Sequence, residues 1–268
     1  MRRLGIAFGV AAALTFFVGP LAWQVLTSLW PEAELTRAWP SHLSGAAYAR
    51  VLWGAQPFWR MMWNSLVVAT ATTLLTLTVG AAAAFALARL ALPGRRLMLG
   101  GVLALSMYPP IATVSPLYLL LRAVGLRDQL AGLVLPYTAF ALPLGIWVLH
   151  GFFRQLPDDL YRAARVDGCS PLQALWRVFL PLAAPALATT AILVFIFSWN
   201  EFLYAVTLMS SQARRTVPVG IALLSSEHVE PWAEIAAASV VSTLPLVLVT
   251  VAFQRRIAAG LTGGAVKG

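Results

Sequence analysis

Six stretches that contain no Asp, Glu, Lys or Arg constrain this chain more than any other feature of its sequence. They cover residues 4–31, 61–88, 97–121, 129–153, 178–200 and 235–254. Each has the ~20 residues that an α-helix needs to cross a hydrocarbon layer about 30 Å thick. The alternating segments of about ten residues that build a membrane β-barrel are missing. The sequence therefore predicts an all-α membrane protein with six transmembrane helices in a single domain, residues 1–268.

The composition agrees with a membrane protein, because 60% of the residues are hydrophobic and only 11% are charged. A water-soluble domain carries about 25% charged residues. Arg2 and Arg3 ahead of the first stretch resemble the start of a signal peptide. The apolar part of a signal peptide has only about 7–15 residues, however. Since the first stretch is much longer than that, we expect a permanent helix.

Basic residues predict that both termini are cytoplasmic. If the N-terminus lies inside, twelve of the 19 Lys and Arg residues flank the inner ends of the six stretches. Loops on the cytoplasmic side of a membrane carry the excess of Lys and Arg. The net charge of +9 could also suggest nucleic-acid binding. Because these charges flank apolar stretches, membrane topology explains them better, and we expect no nucleic acid as a partner.

Prolines fall inside two of the stretches. Pro109, Pro110 and Pro116 lie in the third, and Pro136 and Pro143 lie in the fourth. Proline has no amide proton and clashes with the preceding turn of a helix. We therefore expect both stretches to be interrupted, with the freed carbonyls facing protein or water.

Residues 157–181 predict two short helices outside the membrane. Asp158 and Asp159 follow Pro157 and suit the positive end of a helix that starts there. Gly168 breaks this helix, and Ser170 can cap a second one with Pro171 in its first position. The second helix ends at Leu180-Pro181, and its apolar residues recur on one face, at Leu172, Leu175, Trp176 and Phe179.

This segment resembles a known motif. Its order is Ala163-Ala164, three residues, Gly168, nine residues, and a final Val-Phe-Leu-Pro at 178–181. It is similar to the cytoplasmic coupling loop in permease subunits of binding-protein-dependent ABC importers, and residues 157–181 are called the coupling loop from here on. The resemblance implies a type I ABC importer permease whose loop docks into a groove of the ATPase. The ATPase-coupling residues it implies are Arg162, Ala163, Ala164, Asp167, Gly168, Leu180 and Pro181.

One position departs from that motif, since the family usually has Glu before the paired alanines and this chain has Arg162. A connector that lies on the lipid surface is the alternative interpretation of the segment.

Two further stretches narrow the resemblance. Residues 195–202 and 253–268 resemble the second permease subunit of carbohydrate importers of the maltose/trehalose type. Such a resemblance implies a multi-pass protein of the bacterial cytoplasmic (inner) membrane that imports a sugar, for example trehalose or maltose. It implies four partners, namely a second related permease, an ATP-binding cassette ATPase dimer, an extracytoplasmic sugar-binding protein and membrane lipid. Glycerol phosphate, an oligosaccharide or a polyol remain alternative solutes.

In relatives the glycine-rich tail, here residues 257–268, runs between the ATPase subunits. The resemblance thus implies ATPase contacts at Gly263, Gly264 and Lys267. The alternative is a disordered tail, because small and polar residues bury little apolar surface.

Several kinds of chemistry are missing. A phosphate-binding loop needs Lys after Gly, and the only lysine, Lys267, follows Val266. We therefore expect no catalytic residue, no cofactor, and ATP hydrolysis by a partner. Cys169 is the only cysteine, so no intrachain disulfide forms. The histidines are too far apart along the chain to suggest a metal site; they are His42, His150 and His228.

The fifth stretch ends in Trp199, Asn200 and Glu201, near the outer edge of the membrane. An ionisable residue there could line a substrate path, with Trp199 against a sugar face. These residues could equally anchor the helix at the interface. A self-contained channel or secondary carrier would need charged residues in the middle of its helices. Only Glu201 comes near that position, so the importer subunit is the better prediction.

Overall fold

The computed structural model describes residues 2–37, 39–54, 57–225 and 231–262, with side chains from residue 6 to residue 253. Every regular element in these ranges is helical. Short 3-10 turns cover Glu32–Glu34, Pro110–Thr113 and Gln212–Arg214, and a π-helical turn covers Leu175–Phe179. The α-helices are α1 (Arg2–Ser28), α2 (Ala46–Trp53), α3 (Phe58–Arg89), α4 (Arg95–Ser106), α5 (Val114–Ala123), α6 (Leu130–Gln155), α7 (Asp158–Val166), α8 (Pro171–Ala174), α9 (Leu180–Leu182), α10 (Ala184–Asn200), α11 (Leu203–Leu208), α12 (Val217–Ala222) and α13 (Trp232–Thr262).

Four of the six predicted spans are single apolar helices, and the other two correspond to bent pairs of helices. Helices α1, α3, α6 and α13 are each long and apolar enough to cross a membrane. The third span consists of α4 and the helix Pro110–Ala123, which meet at 92°. The fifth predicted stretch falls in a second bent pair, in which the coupling-loop helix Pro171–Leu182 meets α10 at 84°. The chain is therefore an all-α membrane protein, as predicted.

Proline explains only one of the two interruptions that we expected. The third span breaks between Ser106 and Pro110, as predicted, because neither Pro109 nor Pro110 can donate to a preceding carbonyl. The break expected in the fourth span is wrong, since α6 runs through Pro136 and Pro143. Both prolines are buried, and tight packing around a membrane helix tolerates the lost hydrogen bond.

The chain divides into two compact units. The first contains Met1–Met62 and Val219–Pro245. Within it, the Glu32 carboxylate accepts hydrogen bonds from the backbone N–H groups of Trp232 and Ala233, both at 3.1 Å, and so caps α13. Arg50 Nε lies 2.5 Å from Glu234 Oε1 in the first turn of that helix.

The second unit contains Trp63–Pro218 and Leu246–Gly268, and in it α6 packs against α4, α10 and α11. The prediction of a single domain stays a prediction.

Polar side chains near the helix ends of the second unit hold residues 210–217 in place. Asn64 Nδ2 donates to the carbonyls of Ala213 and Arg215, both at 2.9 Å. Asp128, in the turn before α6, has a positive φ of 57°. Its Oδ1 accepts the backbone N–H groups of Ser210 at 2.9 Å and Ser211 at 3.0 Å. One carboxylate thus fixes the turn to a loop that lies more than eighty residues later in the chain.

The pKa of Asp128 predicts how the stability of the fold depends on pH. Burial raises the pKa of its carboxyl, but hydrogen bonds from Ser211 and Ser210 and the charge of Arg214 lower the pKa by more, so it lies below the ordinary value. A carboxyl with a lowered folded pKa stabilises the fold fully above its unfolded pKa of about 3.9, and this contribution is lost as the pH falls through the folded pKa.

We expect Asp128→Asn to lower the free energy of unfolding at pH 7 by roughly 1–2 kcal/mol, since the hydrogen bonds lose their charge. Asn still tolerates the positive φ. Thermal unfolding of the detergent-solubilised protein from pH 7 to pH 3 measures the effect, with Asp159→Asn as an exposed control. The difference between wild type and Asp128→Asn should shrink below about pH 4. A difference that stays constant over this range would contradict the assignment.

Candidate functional site

The first helix of the coupling loop forms where the sequence predicts it. α7 begins at Asp158, directly after Pro157, and has Asp158 and Asp159 in its first turn and Arg165 in its last. Both placements suit the helix dipole. Its end is a Schellman motif, in which Cys169 N donates to Ala164 O at 2.9 Å and Gly168 N donates to Arg165 O at 3.2 Å.

Gly168 is required at the turn for its backbone conformation. Its φ is +80°, which side chains with a Cβ rarely adopt. A Cβ built at this position meets nothing within 4 Å. The turn therefore has room for a side chain, and only the left-handed conformation selects glycine.

The second helix of the loop begins as predicted and ends slightly later. Ser170 and Gln173 form a capping box, in which Ser170 Oγ accepts from Gln173 N and Gln173 Oε1 accepts from Ser170 N. The helix was expected to end at Leu180-Pro181 and instead continues to Leu182. It does so through the π-turn, because Leu180 N donates to Leu175 O just before Pro181, which has no N–H.

The members of the predicted apolar stripe differ in burial. Leu175 and Phe179 are buried at 3% and 0% exposure. Leu172 and Trp176 are 61% and 57% exposed. Leu172 and Trp176 nevertheless line one apolar hollow with Leu175, beside residues of α3 and α10. Leu172 and Trp176 are left as apolar surface of the coupling loop.

Aromatic rings form the core beneath the loop. Phe179 meets Phe85 of α3 at a centroid distance of 4.9 Å and Phe153 of α6 at 6.0 Å, both edge to face. Tyr161 of α7 lies 5.8 Å from Phe85 in the same geometry. Such pairs stabilise by about 0.5–1.5 kcal/mol beyond the burial of their area. The coupling loop is thereby packed directly against two membrane helices.

The structure separates the predicted ATPase-coupling residues into two groups. Ala164 is buried and Leu180 is partly buried against the same core. The others are exposed; they are Arg162, Ala163, Asp167, Gly168 and Pro181. Arg162 lies 3.5 Å from Asp159, and both side chains are largely exposed. An exposed pair of this kind contributes little, so Arg162 presents its charge to the surroundings.

Two further residues of this region have unusual exposure that their sequence context does not predict. Val166, the last residue of α7, is 85% exposed. The sequence feature that could have indicated this exposure is an apolar residue two positions before Gly168. Arg89 is the other; its side chain is only 3% exposed. In the sequence it resembles one more basic residue at the end of an apolar stretch.

The residues at the end of the fifth span have definite partners. Trp199 is 3% exposed and stacks on Phe195 at 5.7 Å with an interplanar angle of 22°. The Glu201 carboxylate accepts the backbone N–H of Tyr204 at 2.9 Å and caps α11. Asn200 is exposed, and its Nδ2 donates to Ile196 O at 2.8 Å. Of the three, only the Asn200 side chain is exposed.

The structure describes the first half of the predicted tail. α13 continues to Thr262, so the first half of residues 257–268 is helical. Gly263, Gly264 and Lys267 lie outside the described residues. Among the described side chains, no group of three His, Cys, Asp or Glu residues is placed to hold a metal ion.

The chain is similar to permease proteins of several transport systems. The chain is 45% identical over 253 residues to the trehalose transport system permease protein SugB of Mycobacterium tuberculosis, covering 93% of this chain and 92% of the relative. It is 40% identical to the sulfoquinovosyl glycerol transport system permease protein SmoH of Agrobacterium fabrum, covering 97% and 93%. It is 38% identical to the trehalose/maltose transport system permease protein MalG of Thermococcus litoralis, covering 100% and 98%.

A solved structure shows the same fold. One chain of a bacterial ABC transporter involved in the import of the acidic polysaccharide alginate superposes with a TM-score of 0.79 at 25% identity, covering 96% of this chain and 97% of that one. The family model for the inner membrane component of binding-protein-dependent transport systems matches residues 76–263, a range that includes the whole coupling loop. The chain therefore belongs to the family of inner membrane components of binding-protein-dependent transport systems.

Proposed function

We propose that this chain is one of two permease subunits of an ATP-driven importer and that its coupling loop docks onto the ATPase. The observation that carries the proposal is the construction of the loop. Val166 exposes an apolar side chain at the end of α7, on a loop whose two short helices pack against α3 and α6. Exposed apolar side chains on a rigid base are typical of a protein interface.

The partners follow from the same proposal. The permease is non-catalytic, and a cytoplasmic ATPase dimer supplies the energy. A second related permease completes the path, and an extracytoplasmic binding protein delivers the solute. The tail residues Gly263, Gly264 and Lys267 would extend the contact with the ATPase beyond the coupling loop.

The proposed solute is a sugar, and a disaccharide such as trehalose or maltose is the first candidate. SugB and MalG support this choice by their names and by identities of 45% and 38%. SmoH, at 40% identity, supports a glycosylated glycerol as the second candidate. The path would pass the exposed side chain of Asn200, while Trp199 and Glu201 would shape it through their packing.

ATP-driven uptake by the complete importer tests this function. The chain would be reconstituted into proteoliposomes with its second permease, its ATPase dimer and its binding protein. Radiolabelled trehalose, maltose and sulfoquinovosyl glycerol would then be offered in turn. We expect uptake of one of them that requires both ATP and the binding protein and that stops when the ATPase is catalytically inactive. Uptake driven by an ion gradient without ATP would refute the proposal.

The conformation of Gly168 gives a matched pair of variants. Gly168→Val should reduce uptake per ATP hydrolysed by about tenfold or more, because a β-branched residue strongly disfavours positive φ and would shift the docking surface. Gly168→Asn should stay within about threefold of wild type, since Asn tolerates this conformation. Both variants have room for their Cβ. Equal behaviour of the two would show that the turn conformation has no role in coupling.

We also propose that both termini are cytoplasmic. This orientation places the coupling loop on the side of the ATPase and the loop between α1 and α2 outside. Single cysteines at Leu43 and Arg96, both exposed, would be introduced in a Cys169→Ser background. A membrane-impermeant maleimide should label Leu43→Cys in intact cells and Arg96→Cys only after the membrane is opened. Labelling of Arg96→Cys in intact cells would reverse the orientation.

A further inference from the structure

Arg89 is a charged side chain in an unusual position. It is the last residue of α3, and only 3% of its side chain is exposed. Arginine is almost never buried to this degree unless the protein supplies partners for it. Both Nη atoms of Arg89 have such partners, whereas the buried Nε has none among the residues that the structure describes. The partners of the guanidinium therefore show what the residue is for.

Those partners belong to the junction between α6 and the coupling loop. The guanidinium donates to the backbone carbonyls of Phe153 and Leu156. Phe153 lies in the last turn of α6 and Leu156 directly follows that helix, where a helix leaves carbonyls without partners of its own. The guanidinium also donates to the carboxylate of Asp158, the first residue of α7. One cation thus joins the end of α3, the end of α6 and the start of α7.

A fourth element also contacts the guanidinium. The Arg89 Cζ atom lies 5.4 Å from the centroid of the Phe179 ring, within the range of a cation–π interaction. Phe179 is fully buried and belongs to the π-turn of the second coupling-loop helix. Both short helices of the loop are therefore attached to Arg89.

We propose that Arg89 is a positioning residue that transmits movement of the coupling loop to α3 and α6. The inference rests on the proposed docking of this loop onto an ATPase. Aromatic packing alone lets surfaces slide, whereas charged hydrogen bonds in several fixed directions resist sliding. A movement of α7 or of the π-turn would pull on the guanidinium, and through it on the ends of α3 and α6.

The chemistry of the site favours arginine over lysine. A planar guanidinium presents five N–H donors in a fixed fork, whereas an ammonium presents a point charge on a flexible stem. Lysine at position 89 could keep the charge beside Asp158 but could not hold both carbonyls and face the Phe179 ring at the same time. The proposal therefore predicts graded behaviour in which lysine rescues only part of the effect.

The test uses the complete importer in proteoliposomes and three variants. Arg89→Met removes the charge and keeps an unbranched chain, and Arg89→Lys keeps the charge. Arg154→Met is the matched control, because Arg154 lies in the last turn of α6 and is exposed. The first readout is solute taken up per ATP hydrolysed. The second is the alkylation rate of Cys169, which packs partly buried beside the loop core and is followed by peptide mass spectrometry.

We expect Arg89→Met to lower uptake per ATP by about tenfold or more and to raise the alkylation rate of Cys169 several-fold. Arg89→Lys should lie between this variant and wild type, and Arg154→Met should stay within about twofold of wild type in both readouts. Faster alkylation with unchanged uptake per ATP would show that Arg89 only stabilises the loop and would overturn the proposal. No change in either readout would overturn it as well.

Two controls keep the result interpretable. If Arg89→Met does not assemble with its partners, Arg89→Lys decides the question with the same two readouts. If the wild-type complex shows no ATP-driven uptake, the proposed function itself fails. Normal wild-type uptake together with unaffected Arg89 variants refutes the role of Arg89 alone.

Discussion

The packing of Phe179 against Phe85 and Phe153 is the interaction on which the rest of the candidate site depends. It brings the π-turn of the coupling loop into edge-to-face contact with α3 and α6. With this core in place, the charged and small residues of the loop remain on its surface, where a partner can reach them.

Charged side chains at the ends of helices also hold the fold together. They lie at helix ends because the apolar middle of a membrane helix disfavours charge. In apolar surroundings every backbone group needs a partner within the protein. Glu32 caps α13, Glu201 caps α11, and Arg89 holds the carbonyls at the end of α6. In each case a charged side chain from one segment completes the helix end of another. The side chains that satisfy these backbone groups therefore also hold one segment of the chain against another.

Much of this fold was predictable from local patterns. The absence of charge marked the six spans, and Asp158, Gly168 and Ser170 marked the ends of the two short helices, which the structure confirms. These signals are local, since they depend on residues within one turn. The continuity of α6 through Pro136 and Pro143 was not predictable in this way, because packing from distant residues determines whether a proline breaks a buried helix.

The parts of the site that the sequence did not reveal depend on contacts over long sequence distances. Arg89 looked like a topological charge until its partners, more than sixty residues away, were brought beside it. The sequence pattern places four apolar residues of this helix on one face, but only contacts with α3 and α6 determine that Leu175 and Phe179 are the buried ones. Both features required the tertiary structure.

The central claim is that the surface around Val166 contacts an ATPase, and photo-cross-linking tests it most directly. A photoreactive amino acid would replace Val166, which is 85% exposed, in the assembled importer within native membranes. We predict a cross-link to the ATPase subunit, and no such cross-link from the same group placed at Leu43. Capture of lipid alone at Val166, in a complex that contains the ATPase at normal stoichiometry, would contradict the account.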